Sequence, residues 1–406
     1  MNFAEIKVVP PAVGEQTLLD PAQCRVEDLD AVARQPTDPA ACPSAHAITS
    51  GVPIYDCTSL RAQLAKPGRR EALLAELVAV MDRGPGVLVL TAAFNDPTLL
   101  DAATVQFAAL IEQERVTGGG GDHFAKPGAN DRVWNALEKL CLRDPDLFAR
   151  YYANDMIALT SEAWLGPAYQ VTSQINRVNP GGAAQIAHRD YHLGFFTAQG
   201  AARFPAQVHR VSPWLTLQGA VAHVDMPLES GPTLYLPHSQ KYGAGYLVAG
   251  RPEFQAYFDA HHVQLPLRRG DAVFFNPALM HAAGHNRSRD ILRLANLLQI
   301  SSAFGRAMET VDRTRMSRTL YPALLSAVAR GTLTAAQVAC AVAACAEGYA
   351  FPTDLDRDPP LGGLAPESQQ ALMLRALGER WESARFEEVL VERAARQQSH
   401  AGRTFS

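Results

Sequence analysis

The chain has 406 residues, with 47% hydrophobic and 19% charged residues, the make-up of a soluble globular protein of a large core plus extensions or of two domains. Thirty-seven basic against 41 acidic side chains give a net charge of −4, and no basic run exists, which argues against nucleic acid and a charged membrane surface as partners. Residues 1–16 lack a secretory pattern and no window approaches eighteen apolar residues, while six cysteines without a C-x-x-C pair fit the reduced thiols of a cytoplasmic protein.

Residues 1–50 are rich in proline, alanine and polar residues and read as an arm lying over the surface. Residues 69–83 carry apolar residues at helical spacing and end at Gly84-Pro85-Gly86; 87–94 read as a buried strand and 97–114 as an amphipathic helix. Four glycines, Gly118 to Gly121, precede Lys126. They lack the fixed spacing of a phosphate cradle and are expected to form a mobile loop beside an active site or a surface linker. Lys126 and Arg132 could meet an anionic substrate or lie on a solvated surface, the latter being the safer reading. Residues 133–165 follow a helical pattern interrupted near Pro145.

From Tyr169 the period becomes that of a β domain. The expected strands are 169–178, 186–191, 214–223, 233–237, 263–267, 272–275 and 292–301, punctuated by turns such as Pro180-Gly181-Gly182 and Arg269-Gly270-Asp271. This predicts a mostly β core with flanking helices, closed as a jelly roll (double-stranded β-helix, cupin-like) over about 169–303, within a domain of 51–304. Residues 305–406 predict a C-terminal helical extension with helices at 311–330, 334–346, 367–378 and 381–398. It is free to pack on the barrel, close a pocket or join subunits.

The chemistry centres on His188-Arg189-Asp190. In an extended segment side chains two apart point the same way, so one imidazole and one carboxylate reach a common point, two thirds of a 2-His-1-carboxylate site for non-haem Fe(II). A second histidine from another strand is needed. His281, at the end of the Asp271-to-His281 strand and turn, fits, with His285 as its competitor. Twelve positions later stands Arg293, whose planar fork suits the distal carboxylate of 2-oxoglutarate; Arg289 competes for that role, and an ordinary ion pair is the bland alternative. His192, on the same strand face, is a substrate contact or a structural histidine. Gln174 and Gln218 sit on strands expected to face the pocket and to help hold 2-oxoglutarate; Tyr191, Phe195, Phe196 and Trp214 would suit an apolar pocket wall or plain core. A protein-kinase reading of His-Arg-Asp fails, because the required Asn is Phe195 and no Asp-Phe-Gly occurs.

Four pieces in order resemble the phytanoyl-CoA dioxygenase family of Fe(II)/2-oxoglutarate oxygenases: His188-Arg189-Asp190; Ser230-Gly-Pro-Thr-Leu-Tyr-Leu-Pro-His-Ser239; Gly270-Asp271 through His281; and Asn286-Arg-Ser288 leading to Arg293. The resemblance spans about 85–303. It implies iron held by His188, Asp190 and His281, 2-oxoglutarate anchored by Arg293, and O2 as oxidant, with decarboxylation to succinate and CO2 coupled to oxidation of a small-molecule substrate. Asp190 fills the position a halide would need, which favours hydroxylation or a related oxidation over halogenation. The rival functions are a jelly-roll protein that binds a ligand without turnover and a cupin-like metal enzyme that does not use the keto acid. A homo-oligomer is left open.

Overall fold

A computed structural model describes residues 18–116 and 128–399. The glycine run and Lys126 therefore lie outside the described residues, as does the start of the N-terminal arm. Eleven strands are described: β1 Ala47–Thr49, β2 Val52–Asp56, β3 Val87–Thr91, β4 Asn130–Val133, β5 Gln170–Val178, β6 Thr216–Ala222, β7 Leu234–Tyr235, β8 Val263–Gln264, β9 Ala272–Phe275, β10 His281–Ala282 and β11 Arg293–Ser301. Eight form one mixed sheet in the order β1-β2-β3-β9-β6-β11-β5-β4, and three form a small sheet, β10-β7-β8. Only β2 and β3 pair in parallel; the other pairs are antiparallel.

Alternation along each strand sorts side chains between two cores. In β3, Leu88 and Leu90 face a large core shared with the helices, while Val87 and Val89 face the small sheet; in β9, Phe274 takes the first side and Val273 and Phe275 the second. Tyr235, Leu265 and Leu267, from the small sheet and its continuation, complete the second core. The regular elements thus draw a large sheet, helices on its outer face, and a small sheet opposite. With strands of two residues, the small sheet does not by itself draw a complete second barrel wall.

Several expectations are corrected. The N-terminal segment is more than a surface arm. Helix Val26–Ala33 buries Leu29 completely in a cluster with Tyr257 and Phe258, and β1 enters the main sheet. The expected helical stretch from 133 to 165 does break at Pro145, but it breaks a second time and starts later, giving three helices, Ala136–Arg143, Pro145–Tyr151 and Asp155–Leu165, preceded by edge strand β4. Asp144 and Asn154 accept backbone N–H groups of the next helix and so restart it twice.

Helices Arg313–Arg330, Ala335–Cys345, Gln369–Gly378 and Ser383–Arg396 join the large core through Met316, Leu320, Tyr321, Val342, Met373 and Phe386. The C-terminal block is packed on the domain and shares its core. No described helix is long and apolar enough to cross a membrane.

Candidate metal centre

Turn chemistry delivers the second histidine. Asp271 accepts from the Ala92 and Arg268 N–H groups, pinning the start of β9 beside β3. After β9, Asn276 Oδ1 accepts from Ala278 N, and the chain swings round to His281. The expected strand at 186–191 is an extended segment with a single bridge, His188 opposite His281.

In that bridge His188 N donates to His281 O at 3.0 Å and His281 N to His188 O at 3.1 Å. Such a pair points both side chains to the same face. Asp190 N donates to Pro277 O at 3.1 Å, which holds the carboxylate in the same frame.

One ligand atom each from His188, Asp190 and His281 lies within 4.8 Å of the others. His188 Nε2 is 3.5 Å from Asp190 Oδ1, and His281 Nε2 is 3.4 Å from Oδ2. In both histidines Nδ1 lies 2.9 Å from a carbonyl two residues back, Ile186 O and Leu279 O. An Nδ1–H donated there fixes the tautomer and leaves the Nε2 lone pair for a metal. Burial, followed by the His281 imidazole, lowers the pKa of His188, favouring the neutral form that can ligate. Burial pushes the Asp190 carboxyl up, but the two imidazoles and the Gln218 amide outweigh it and hold the group ionised. Two imidazole nitrogens and a carboxylate are a fitting donor set for a divalent transition metal.

The three groups line a cavity of about 570 Å³. Arg293 also lines it, 7% exposed, with Nη1 buried and without a hydrogen-bond partner among the described residues. Burial pulls its pKa down to about 10, so it stays cationic at neutral pH. The competitors fall away, because His285 and Arg289 are exposed at the surface.

Gln218 lines the cavity and donates to Asp190 Oδ2, so its amide holds the carboxylate of a ligand candidate. Gln174 lines it too, accepting from Arg132 Nη1 at 2.7 Å and donating to Gln299 at 3.0 Å. Phe195 stands in the wall, half exposed.

His192, Tyr191 and Trp214 are not in that wall. Tyr191 and His192 have φ of 68° and 45°, which turns the chain out of the extended line immediately after Asp190. His192 therefore leaves the shared face, and Tyr191 is buried beside the cavity. Trp214 lies in the 3-10 turn Ser212–Leu215 before β6, where its ring stacks on Trp164 at 4.4 Å, away from the ligands.

Sequence reading missed Asn176 and Gln299, and of its two readings for Arg132 it preferred the solvated surface; all three line the cavity. Gln174 and Asn176 flank the apolar Ile175 on β5, a polar alternation that marks one strand face as facing something other than core.

A family model described as phytanoyl-CoA dioxygenase (PhyH) matches residues 72–295, more than half of the chain. The chain belongs to the phytanoyl-CoA dioxygenase family. All three clustered ligand candidates and Arg293 fall within the matched PhyH segment. No curated protein matches this PhyH member in sequence.

Among solved structures, it is similar to SnoN, a non-haem alpha ketoglutarate dependent epimerase from nogalamycin biosynthesis, with 20% identity, 57% of this chain and 84% of that one covered, and a TM-score of 0.41. SnoK, a non-haem alpha ketoglutarate dependent carbocyclase of the same biosynthesis, gives 19%, 59%, 89% and 0.39. HygX from Streptomyces hygroscopicus, seen with nickel, 2-oxoglutarate and hygromycin B bound, gives 14%, 56%, 87% and 0.37.

Proposed function

We propose that this PhyH member is a non-haem Fe(II)/2-oxoglutarate-dependent oxygenase that hydroxylates a small organic molecule. One observation carries the reading: the His188–Asp190–His281 cluster shares its cavity with a buried guanidinium, Arg293, whose Nη1 has no protein partner. A buried unpaired cation is costly, and an incoming carboxylate is what offsets it.

In this reading His188, Asp190 and His281 hold the iron and Arg293 grips the far carboxylate of 2-oxoglutarate. Bound together, Fe(II), 2-oxoglutarate and O2 supply an oxidant as the keto acid is decarboxylated to succinate and CO2. The protein's own part is placement. Gln218 keeps Asp190 turned to its ligating position, Gln174 and Gln299 line the pocket as a hydrogen-bonded amide pair, and Phe195 with Ile186 offers an apolar surface to the substrate at the mouth. Asp190 occupies the place a halide would take, which supports hydroxylation. We read the small sheet and the extended His188 segment as the second wall of a jelly roll. A metal protein that does not use the keto acid would have no use for Arg293, so the orphan guanidinium weighs against that alternative.

The test is release of labelled succinate from 2-oxoglutarate by the full chain with Fe(II) and ascorbate, screened for stimulation by candidate metabolites. Release above background, abolished in Asp190→Ala and His281→Ala, supports the proposal; release unchanged in those variants refutes the site.

A further inference from the structure

A second cavity, of about 440 Å³, lies against the same segment and is lined by Arg189, the residue between the two ligands His188 and Asp190. Arg189 also borders the metal-centre cavity, but its guanidinium lies over the Tyr246 ring, which lines the second cavity and not the first. Arg189 is only 3% exposed, and its one hydrogen bond runs from Nη2 to Ser239 O. Its Nε is buried with no partner, and among the described residues no carboxylate pairs with it.

The guanidinium is held between the Tyr246 ring, 5.5 Å away, and the backbone of Gly245, where any Cβ would come within 1.9 Å of Cζ. Its position is therefore rigid. Arg83, Arg210, Lys241, His209 and Trp214 line the same space, and Asp82 is the one acid among the lining residues. Lys241 bonds only to neutral partners, Gln35 Oε1 and His238 Nδ1, each at 2.8 Å. His209 Nδ1 is buried and unpaired. The formal balance is four cations to one anion, around a pocket large enough for more than water.

We propose that this cavity is a second ligand site, for a small metabolite that carries an oxyanion, phosphate or carboxylate. The head group meets Arg189 at the bottom and Lys241 and Arg83 nearer the rim, while Trp214, a residue 41% exposed, offers the ring face not stacked on Trp164 to the body. The site also touches both ligand-bearing segments. Arg189 lies between His188 and Asp190, and Asn276 and Ala278, which line the cavity, flank the Pro277 carbonyl that accepts from Asp190 N. An occupant thus bears on the main chain that fixes all three ligand candidates. This inference does not depend on the reaction proposed above.

The experiment is calorimetric titration of inorganic phosphate, then of acetate, into the full chain at low salt. Arg293→Gln serves as the background, so that binding in the metal cavity is removed. We expect one saturable site in that background. Its dissociation constant should rise at least tenfold in Arg189→Met and in Lys241→Gln/Arg83→Gln, the second variant deciding the matter if the first fails to fold. Saturation by either anion supports the site, and their relative affinity identifies the head group. Loss of all binding in the Arg293→Gln background, or binding undiminished in the Lys241→Gln/Arg83→Gln variant, overturns the proposal.

Discussion

His188 and His281 are locked opposite each other by two reciprocal backbone hydrogen bonds, with ring centroids 4.6 Å apart. Their separation is set by main-chain pairing, and each ring is oriented by a carbonyl of its own segment. Main-chain pairing thus places the two candidate imidazoles side by side.

Gln218 supports the ligand candidates through Asp190. Gln218→Leu should keep the fold and weaken metal binding about 10- to 100-fold, the usual cost of losing a partner that orients a ligand. Titration of Fe(II) or Ni(II) checks it, with His285→Ala and Arg289→Ala as surface controls that should bind metal like the parent. An unaltered affinity in Gln218→Leu would show that Asp190 needs no such support.

Arg293 predicts opposite effects on binding and stability. Replacing it by Leu removes a buried cation lacking a partner at Nη1, so the ligand-free protein should gain about 1 kcal/mol of stability in urea unfolding. The same variant should bind 2-oxoglutarate about 30- to 100-fold more weakly, a loss of about 2–3 kcal/mol of charge-assisted hydrogen bonding. Arg293→Lys keeps the charge but loses the fork, and should fall between. Unchanged 2-oxoglutarate affinity in the Leu variant would remove Arg293 from the proposed anchor.

Gly194 is constrained by the residue between the ligands. A Cβ there would lie 2.1 Å from the Arg189 carbonyl oxygen, a backbone atom that moves only with the His188–Asp190 segment. Gly194→Ala should cost about 1–3 kcal/mol in urea unfolding and also weaken metal binding. Stability lost with full metal affinity retained would mean that the strain is absorbed elsewhere.

His223 gives a pH dependence independent of the metal. It is buried between Thr104 Oγ1, 2.8 Å from Nδ1, and the Tyr151 hydroxyl, 2.9 Å from Nε2. Burial, then the Arg269 charge, pulls its pKa down to about 3. The unfolded chain takes up the proton near pH 6.5 and the folded chain only near 3, so the unfolded state binds more protons between those values. This contribution is complete above pH 6.5 and declines as pH falls towards 3, by on the order of 5 kcal/mol in all. Urea midpoints at pH 7 and pH 5 should differ less in His223→Gln than in the parent. Equal slopes in the two proteins would rule His223 out as the source.

The strands and the clustered ligand candidates were largely readable. Period-2 alternation located β5, β6, β9 and β11 to within a few residues, and His188, Asp190, His281 and Arg293 were selected from spacing and from the family resemblance. Reading stopped at Asp190, because strand alternation was extended through Tyr191 and His192, whose positive φ values have no glycine to announce them. Trp214 was misplaced for a related reason. Its stacking partner Trp164 lies fifty positions earlier on a helix, beyond any local period.

What the sequence determined by itself was the chemistry, since side-chain identity decides what an imidazole, a carboxylate or a guanidinium can bind, and alternation decides which strand faces are apolar. Tertiary structure decided which of two histidines and which of two arginines face the cavity. It also turned Gln218 towards Asp190 and left Arg293 and Arg189 buried without carboxylate partners among the described residues, with Arg189 bordering both cavities. Those outcomes depend on burial and on distances between residues as far apart in sequence as His188 and His281. Local periodicity carries no record of them.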